Sequence, residues 1–403
     1  MKARRRAVLF GMAALLLLTG CWDLREMNHL ALVVAVGVDK SPMPGRVQVT
    51  VQVARPSGAG KGGGMEAGPH GSPVYIATAD GDTIFAAIRN LAQFTSRRIM
   101  WAHNNVVIIG ESLAREDITP VVDFFTRNQE LRMRTWVAVS RGTDARNIVA
   151  ARTGMEDIPA NSISALLRFA QLPGEGVHSD MGDALSAYLS KDQNPVLAVL
   201  ELQPRGLNAS EQPEAEEPVP QAQLAGSAII KNTRLVGFVE RETGRGLLWL
   251  RRDMKNAVLT IPCPGGAGSN MAIEIRSPKV QVASQIVGSA PVMLFDVQTD
   301  GWLTEQDCPT PKLRTSELKR YAQQALADKI RAEMQATLDL LQNELKTDAI
   351  KYARTLHIQH PLWWEKNSGR WDEIFPDVKT RITVTVTISK MSLYTRPMRA
   401  ESP

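Results

Sequence analysis

Cys21 follows Leu18-Thr19-Gly20 and an apolar run that begins at Ala7, itself preceded by Lys2, Arg4, Arg5 and Arg6. A branched residue and two small residues before a cysteine let a signal peptidase reach the backbone. The cysteine sulfur then accepts a diacylglycerol. Ala7 to Leu18 is too short to cross a bilayer, which takes about 20 apolar residues. The segment 1–20 therefore reads as a lipoprotein signal peptide, removed on maturation. The mature chain would begin at Cys21 with two acyl chains, and at about 0.8 kcal/mol per buried methylene two chains anchor stably. The competing reading is an ordinary leader that happens to end near a cysteine.

The other chemistry-bearing residues are sparse. Cys263 and Cys308 both precede proline in loop-like sequence. An exported chain permits a disulfide between them, although spacing alone does not bring two Cα atoms within bonding reach. Two free thiols are the alternative, and a zinc site needs more ligands at tighter spacing. His357 and His360 could share a helical face, but no Glu stands between them as in a zinc hydrolase. A solvated or packing role is expected, and no metal or cofactor is. His103 precedes a strand-like run; without a Gly-x-Ser-x-Gly elbow in the chain it reads as a hydrogen-bonded structural residue. Gly60-Lys61 lacks a following Ser or Thr, and Arg55 stands where a phosphate loop needs its first Gly. Arg127, Glu130 and Arg132 end a helical stretch. They form either local ion pairs of little energetic weight or a charged contact with a partner. Trp22 suits a membrane interface or packing on the first domain. Trp363, Trp364 and Trp371 suit core packing, with a sugar platform as the alternative. No catalytic set emerges.

The elements that must position these residues follow from periodicity. Leu30 to Val38 is nearly all apolar and predicts a strand covered on both faces. Val47, Val49, Val51 and Val53 alternate with Gln48, Thr50 and Gln52, which predicts a half-buried partner strand. Residues 57–72 are dominated by glycine and predict a loop. Val74 to Ala79 reads as a strand. A helix follows, capped at Asp82 or Thr83 and ending near Arg97. Val106 to Ile109 and Thr135 to Ser140 are strands. Pro120 divides a helical stretch from Leu113 to Arg127. Strands and helices mix without regular alternation up to residue 200. Residues 203–223, rich in Pro, Glu and Gln, read as a linker. Ser316 to about Lys346 carries apolar residues at helical spacing with no Gly or Pro, a long amphipathic helix. Ile382, Val384, Val386 and Ile388 alternate with threonines in a closing strand.

The chain has 403 residues and 44% hydrophobic content, with a formal charge of +5. That length suffices for two or three domains at about 100–200 residues each. The four basic residues of the leader account for all but one of the net charges. No basic block interleaved with aromatics follows, which excludes a nucleic-acid partner.

Further residues carry a resemblance. Cys21-Trp22-Asp23-Leu24-Arg25-Glu26-Met27-Asn28, then the apolar strand and Gly37-Val38-Asp39, resemble the start of mature Ger(x)C proteins, the lipoprotein C subunits of spore germinant receptors. The resemblance continues through His103-Asn104, Ile109-Gly110-Glu111-Ser112-Leu113-Ala114-Arg115, Asp123-Phe124-Phe125-Thr126-Arg127, Glu130 and Arg132. It includes Gly226-Ser227-Ala228-Ile229, Glu242-Thr243-Gly244, and Trp371 to Phe375 with the strand behind them. Asp348 departs from the pattern. It is followed by Ala349-Ile350-Lys351-Tyr352-Ala353 where the family often carries a Gly/Phe-rich stretch. The loop 57–72 looks longer than is usual in the family, and the resemblance does not supply the Cys263/Cys308 pair.

The expected fold is α+β, with three mixed α/β domains, the last carrying a long amphipathic helix packed on a mainly antiparallel sheet. The expected division is a leader at 1–20, an N-terminal domain at 21–202, a linker at 203–223, a small central domain at 224–290 and a C-terminal domain at 291–403. The resemblance implies a non-enzymatic subunit on the outer face of the inner spore membrane. Its partners would be two integral-membrane subunits, A and B, and the bilayer itself through the diacylglycerol on Cys21. Such a complex senses small nutrients and triggers exit from dormancy. The alternative is a substrate-binding lipoprotein of a transporter, which would need two α/β lobes around a cleft. A cell-wall enzyme would need a nucleophile or carboxylate pair that the sequence does not offer.

Overall fold

The computed structural model describes residues 30–55, 73–95, 97–151, 156–170, 174, 176–206, 219–264, 268–308 and 315–390. Two sheets organise them, one of nine strands and one of four. The leader, Cys21, Trp22, the glycine-rich loop and the middle of the expected linker lie outside the described residues.

Strand β1 (Leu30–Lys40) is buried along both faces, as its unbroken apolar run predicts. A register shift between Val33 and Ala35 sends Val33 and Val36 to one face, Val34 and Ala35 to the other. β2 (Val47–Ala54) and β3 (Val74–Gly81) extend the sheet antiparallel to β1. Helix α1 (Ile84–Leu91) starts at Thr83, whose Oγ1 accepts the Ala86 N–H at 3.1 Å. It ends earlier than the expected Arg97. β4 (Arg98–Met100) and β5 (Val106–Ile109) run parallel to β1. α2 (Glu111–Glu116) and α3 (Thr119–Arg127) are separate helices, with Pro120 in the first turn of α3, where its missing N–H removes no helical hydrogen bond. β6 (Trp136–Ser140), α4 (Ala145–Ala150), α5 (Pro159–Arg168), α6 (Met181–Leu189) and β7 (Val196–Gly206) follow. β8 (Val219–Lys231) and β9 (Arg234–Val239) close the far edge, in the order β3-β2-β1-β5-β6-β7-β8-β9.

The middle of this sheet, β1-β5-β6-β7, is parallel. Parallel neighbours require crossovers, which here carry the helices. Leu91, Leu113, Val121, Phe125 and Met181, from α1, α2, α3 and α6, cover one face; Ala145, Ile148, Ile163 and Leu167, from α4 and α5, cover the other. Covering both faces corrects the expectation for β2. Gln48, Thr50 and Gln52 are buried rather than solvated. Gln52 donates to Val149 O at 2.7 Å and accepts the Ala160 N–H at 3.0 Å, tying the end of α4 to the start of α5. Thr50 and Thr78 hydroxyls pair at 2.9 Å. Buried polar side chains persist where such partners exist.

Helix α7 (Arg241–Arg251) leads to the second sheet. That sheet holds β10 (Ala257–Pro262), β11 (Asn270–Val287) and β12 (Ala290–Gln306), successively antiparallel, and β13 (Lys379–Lys390), parallel to β12. The long helix α8 (Thr315–Asp339) lies on it through Leu318, Leu326 and Ile330, and Gln323 Nε2 donates to Val386 O at 3.1 Å. The helix changes to a π turn at Leu340–Glu344, short of the expected Lys346. There the Gln342 amide donates to Phe375 O and Val378 O, both at 2.9 Å. α9 (Tyr352–Gln359) and α10 (Pro361–Asn367) meet at His360-Pro361.

Strand pairing corrects the expected divisions. Residues 203–206 and 219–223 are arms of the β7–β8 hairpin, not a linker between domains. β8 and β9 therefore belong to the first sheet. The boundary expected at 290/291 cuts the β11–β12 hairpin, which pairs from Met271↔Gln306 to Val287↔Ala290. Composition misled because these hairpin arms are polar and carry prolines, as a domain linker does. The apolar core also runs across the junction: Val177, Val196, Ile229 and Val239 pack with Leu247 to Leu250 and with Ile273 and Phe295.

Cys263 and Cys308 are joined, with Cα atoms 5.4 Å apart and a sequence separation of 45. They staple the ends of β10 and β12 within the buried core. Replacing both by serine is expected to lower unfolding free energy by about 2–4 kcal/mol, mainly by freeing the unfolded loop. Denaturant midpoints of oxidised protein and double variant check this; equal midpoints would show that the bridge contributes nothing.

Candidate functional site

A polar cleft of about 490 Å³ lies between the two sheets' bodies. The first body contributes His178 from just before α6, Asp183 and Ser186 from α6 itself, and Gln193 and Asn194 from the turn before β7. The end of α7 and the turn after it contribute Arg251, Asp253 and Lys255; Lys351 and Arg354 come from the start of α9. Arg251 is anchored, its Nε on Asp253 at 3.0 Å and its Nη1 on Ala349 O at 2.7 Å. Asn194 donates to Asp348 O at 3.2 Å. His178 lies edge-on to Trp136 and 3.4 Å from Asp183.

Asp348 builds the α9 side of the cleft. Its carboxylate accepts the N–H groups of Ile350 and Tyr352 at 3.1 Å, of Ala353 at 2.7 Å, and Trp371 Nε1–H at 3.2 Å. Full burial raises its pKa, although the four donors oppose that. These bonds cap α9 from outside, because Lys351, at the cap position, makes no side-chain capping bond. Lys351 is held in left-handed backbone, φ 63. Burial, then repulsion from Arg251, lowers its pKa below the usual lysine value. On the rim, Asp192 accepts His357 Nδ1–H at 2.8 Å and the Ser190 hydroxyl, with Arg354 at 3.7 Å. Burial works against its ionisation, but the bonds from Ser190 and His357 outweigh burial and hold the carboxyl below its usual range.

The sequence-selected residues serve separate purposes. His357 meets Asp192, whereas His360 Nε2 meets Ser284 O at 3.0 Å, so the two imidazoles do not converge. His103 is exposed rather than hydrogen-bonded into the structure; its neighbour Asn104 is the buried residue. Arg127 pairs with Asp123 at 2.6 Å on the same helix, Glu130 accepts the Trp101 N–H at 3.1 Å, and Arg132 is exposed. Arg127 also borders an apolar groove with Val122, Leu185 and Leu189. Trp364 and Trp371 are core residues, and Trp363 donates to Ser289 O at 3.1 Å.

Several motif residues turn out to be architectural. Asp39 reaches across from β1 to cap α4, accepting the Ala145 and Arg146 N–H groups at 2.8 and 2.9 Å. Gly110 leaves room for it, since a Cβ there would lie 2.1 Å from Asp39 Oδ1. Glu111 accepts the Gly142 N–H at 3.1 Å. In Glu242-Thr243-Gly244, Glu242 pairs with Lys329 at 3.1 Å and Thr243 O accepts from Thr337 Oγ1 at 2.9 Å, both on α8. Sequence reasoning missed Arg251, Lys351, Arg354 and Asp348 as a group. An Asp just before a helical run is a capping signal, but nothing local joins 351 to 194 or 251.

A family model described as "Spore germination protein N-terminal domain" matches residues 23–202. One described as "Spore germination B3/ GerAC like, C-terminal" matches residues 225–392. Spore germination protein KC of Bacillus subtilis (strain 168) is 25% identical over 395 residues, covering 96% of this chain and 95% of that protein. Spore germination protein B3 of the same organism is 23% identical over 391 residues, covering 96% and 97%. The crystal structure of the GerBC protein is similar with a TM-score of 0.55 at 20% identity, covering 91% of this chain and 100% of that one; it supports the α+β fold.

Proposed function

Because the chain belongs to the GerAC-like spore germination family, whose two models match residues 23–202 and 225–392, we propose that it is the lipid-anchored, non-catalytic C subunit of a germinant receptor. Diacylglycerol on Cys21 would hold it on the outer face of the cytoplasmic membrane, the inner membrane of the spore. There it would assemble with two integral-membrane subunits and take part in nutrient-triggered germination.

The observation that carries this reading is the lipobox directly ahead of the family match. Nine residue steps separate Cys21 from Leu30, a reach of at most about 30 Å. An acylated Cys21 would keep β1 close to the bilayer. Among the described residues no helix is long and apolar enough to cross a membrane. The described carboxylates nearest to a catalytic appearance are engaged in architecture: Asp39 and Asp348 cap helices, and Glu333 pairs with Arg245. A transporter's binding protein needs two lobes that move about a hinge, whereas the core here is continuous across the junction.

Deleting the gene in a spore former is expected to abolish the response to one class of nutrient and to leave germination triggered downstream of receptors intact. Cys21→Ala should shift the protein from the membrane fraction to the soluble one and restore the response poorly, since tethering raises local concentration near membrane partners. Full nutrient response after deletion, in a strain with no second copy, would refute the subunit reading; membrane retention of Cys21→Ala in a strain lacking both partner subunits would refute the anchor.

A further inference from the structure

The junction cleft holds more cations than its own carboxylates satisfy. Arg251, Lys255, Lys351 and Arg354 line it, against Asp183 and Asp253, with His178 beside Asp183. Arg251 is committed to Asp253 and to Ala349 O. Arg354 stands 3.7 Å from Asp192, a carboxylate already engaged by His357 and Ser190. Lys255 and Lys351 have no ion-pair partner among the described residues.

Lys351 is the informative one. Its φ of 63 is a conformation that residues with a Cβ rarely adopt. The Asp348 bonds on either side of it hold the backbone there and leave the half-buried amine lining the cleft. Strained backbone of this kind clusters at ligand clamps. The cleft volume, about 490 Å³, falls in the range of small-molecule sites.

We infer that this cleft binds a small free oxyanion with two or more negative charges, a dicarboxylate or a phosphate. Lys351 and Lys255 supply neutralising charge. The Arg354 guanidinium and the Gln193 amide supply directional donors, since a planar guanidinium matches the paired oxygens of either group. A ligand there would touch residues 183–194 of the first body and 351–354 of the second, so its occupancy would brace the junction. The inference rests on the cleft alone and is independent of the subunit assignment.

The test is calorimetric titration of the purified full chain in detergent micelles with succinate and, separately, with inorganic phosphate. Ionic strength is held constant with chloride, because surface charges are screened by salt. One saturable site per chain is expected, with a Kd at or below about 1 mM for at least one anion. The tighter of the two identifies the source. Lys351→Gly should weaken binding by at least about tenfold while leaving the unfolding midpoint unchanged or higher, because glycine relieves the left-handed backbone. Lys191→Ala, an exposed lysine outside the lining, should leave affinity unchanged. Failure of both anions to saturate, or unchanged affinity in Lys351→Gly, would overturn the inference.

Discussion

Replacing Asp348 by alanine is expected to lower the unfolding free energy by about 5 kcal/mol, among the largest effects of any single substitution in this chain. Three backbone N–H groups and one indole N–H end on that carboxylate. The site is closed to water, so the truncated side chain leaves these donors unpaired. Each buried donor without a partner costs about 1–3 kcal/mol, and local relaxation recovers part of the sum. Asp348→Asn should cost less, because one oxygen remains, yet its amide faces N–H groups that need an acceptor. Urea midpoints give the stability. The chain's tryptophan emission should shift as well, since the Trp371 indole loses its partner. An alanine variant within about 1 kcal/mol of the parent would mean that the buried bonds carry little net weight.

Gly246→Ala is expected to be comparably disruptive, again near 5 kcal/mol, although it adds a single methyl. A Cβ at this position would lie 2.1 Å from Thr337 Oγ1 and 2.2 Å from Glu333 O. The second contact is helix backbone, which cannot rotate away, so α8 must retreat from α7. That retreat breaks the pair beneath it. Arg245 meets both Glu333 oxygens, with Nη2 at 2.7 Å and Nε at 3.2 Å, and Glu333 is 2% exposed. Burial raises the Glu333 pKa, partly offset by Arg245. A buried carboxylate stripped of its cation costs about 3–5 kcal/mol, and overpacking adds about 1–3 kcal/mol. Gly369→Ala is the control: nothing lies within 4 Å of its added Cβ, and the same substitution there should stay within about 0.5 kcal/mol. Equal midpoints for the two alanine variants would show that α7 and α8 are not rigidly packed.

Both positions illustrate a limit on what local sequence conveys. Glu242-Thr243-Gly244 stands out in the sequence by resemblance, yet its use is a helix crossing whose other half lies at 329–337. In the sequence Asp348 stands out only because the residues after it depart from the family pattern. Their importance follows from contacts made across the fold. The same holds for Gln48, Thr50 and Gln52. An alternating strand predicts one wet face, and only the positions of α4 and α5 show that this face is covered.

The sequence by itself determined the features that depend on neighbours in the chain. The doubly covered β1, the alternating β13, the long α8 and the helix break at Pro120 each arise from a local repeat or a single breaker residue. The tertiary structure alone decided the parallel order β1-β5-β6-β7, the membership of β8 and β9 in the first sheet, and the cleft assembled from residues 178–194, 251–255 and 351–354. The physical reason is that periodicity records how many faces of an element are buried, but not what buries them. Which strands pair, and which distant charges then share a cleft, is settled only when several elements bury their apolar faces together.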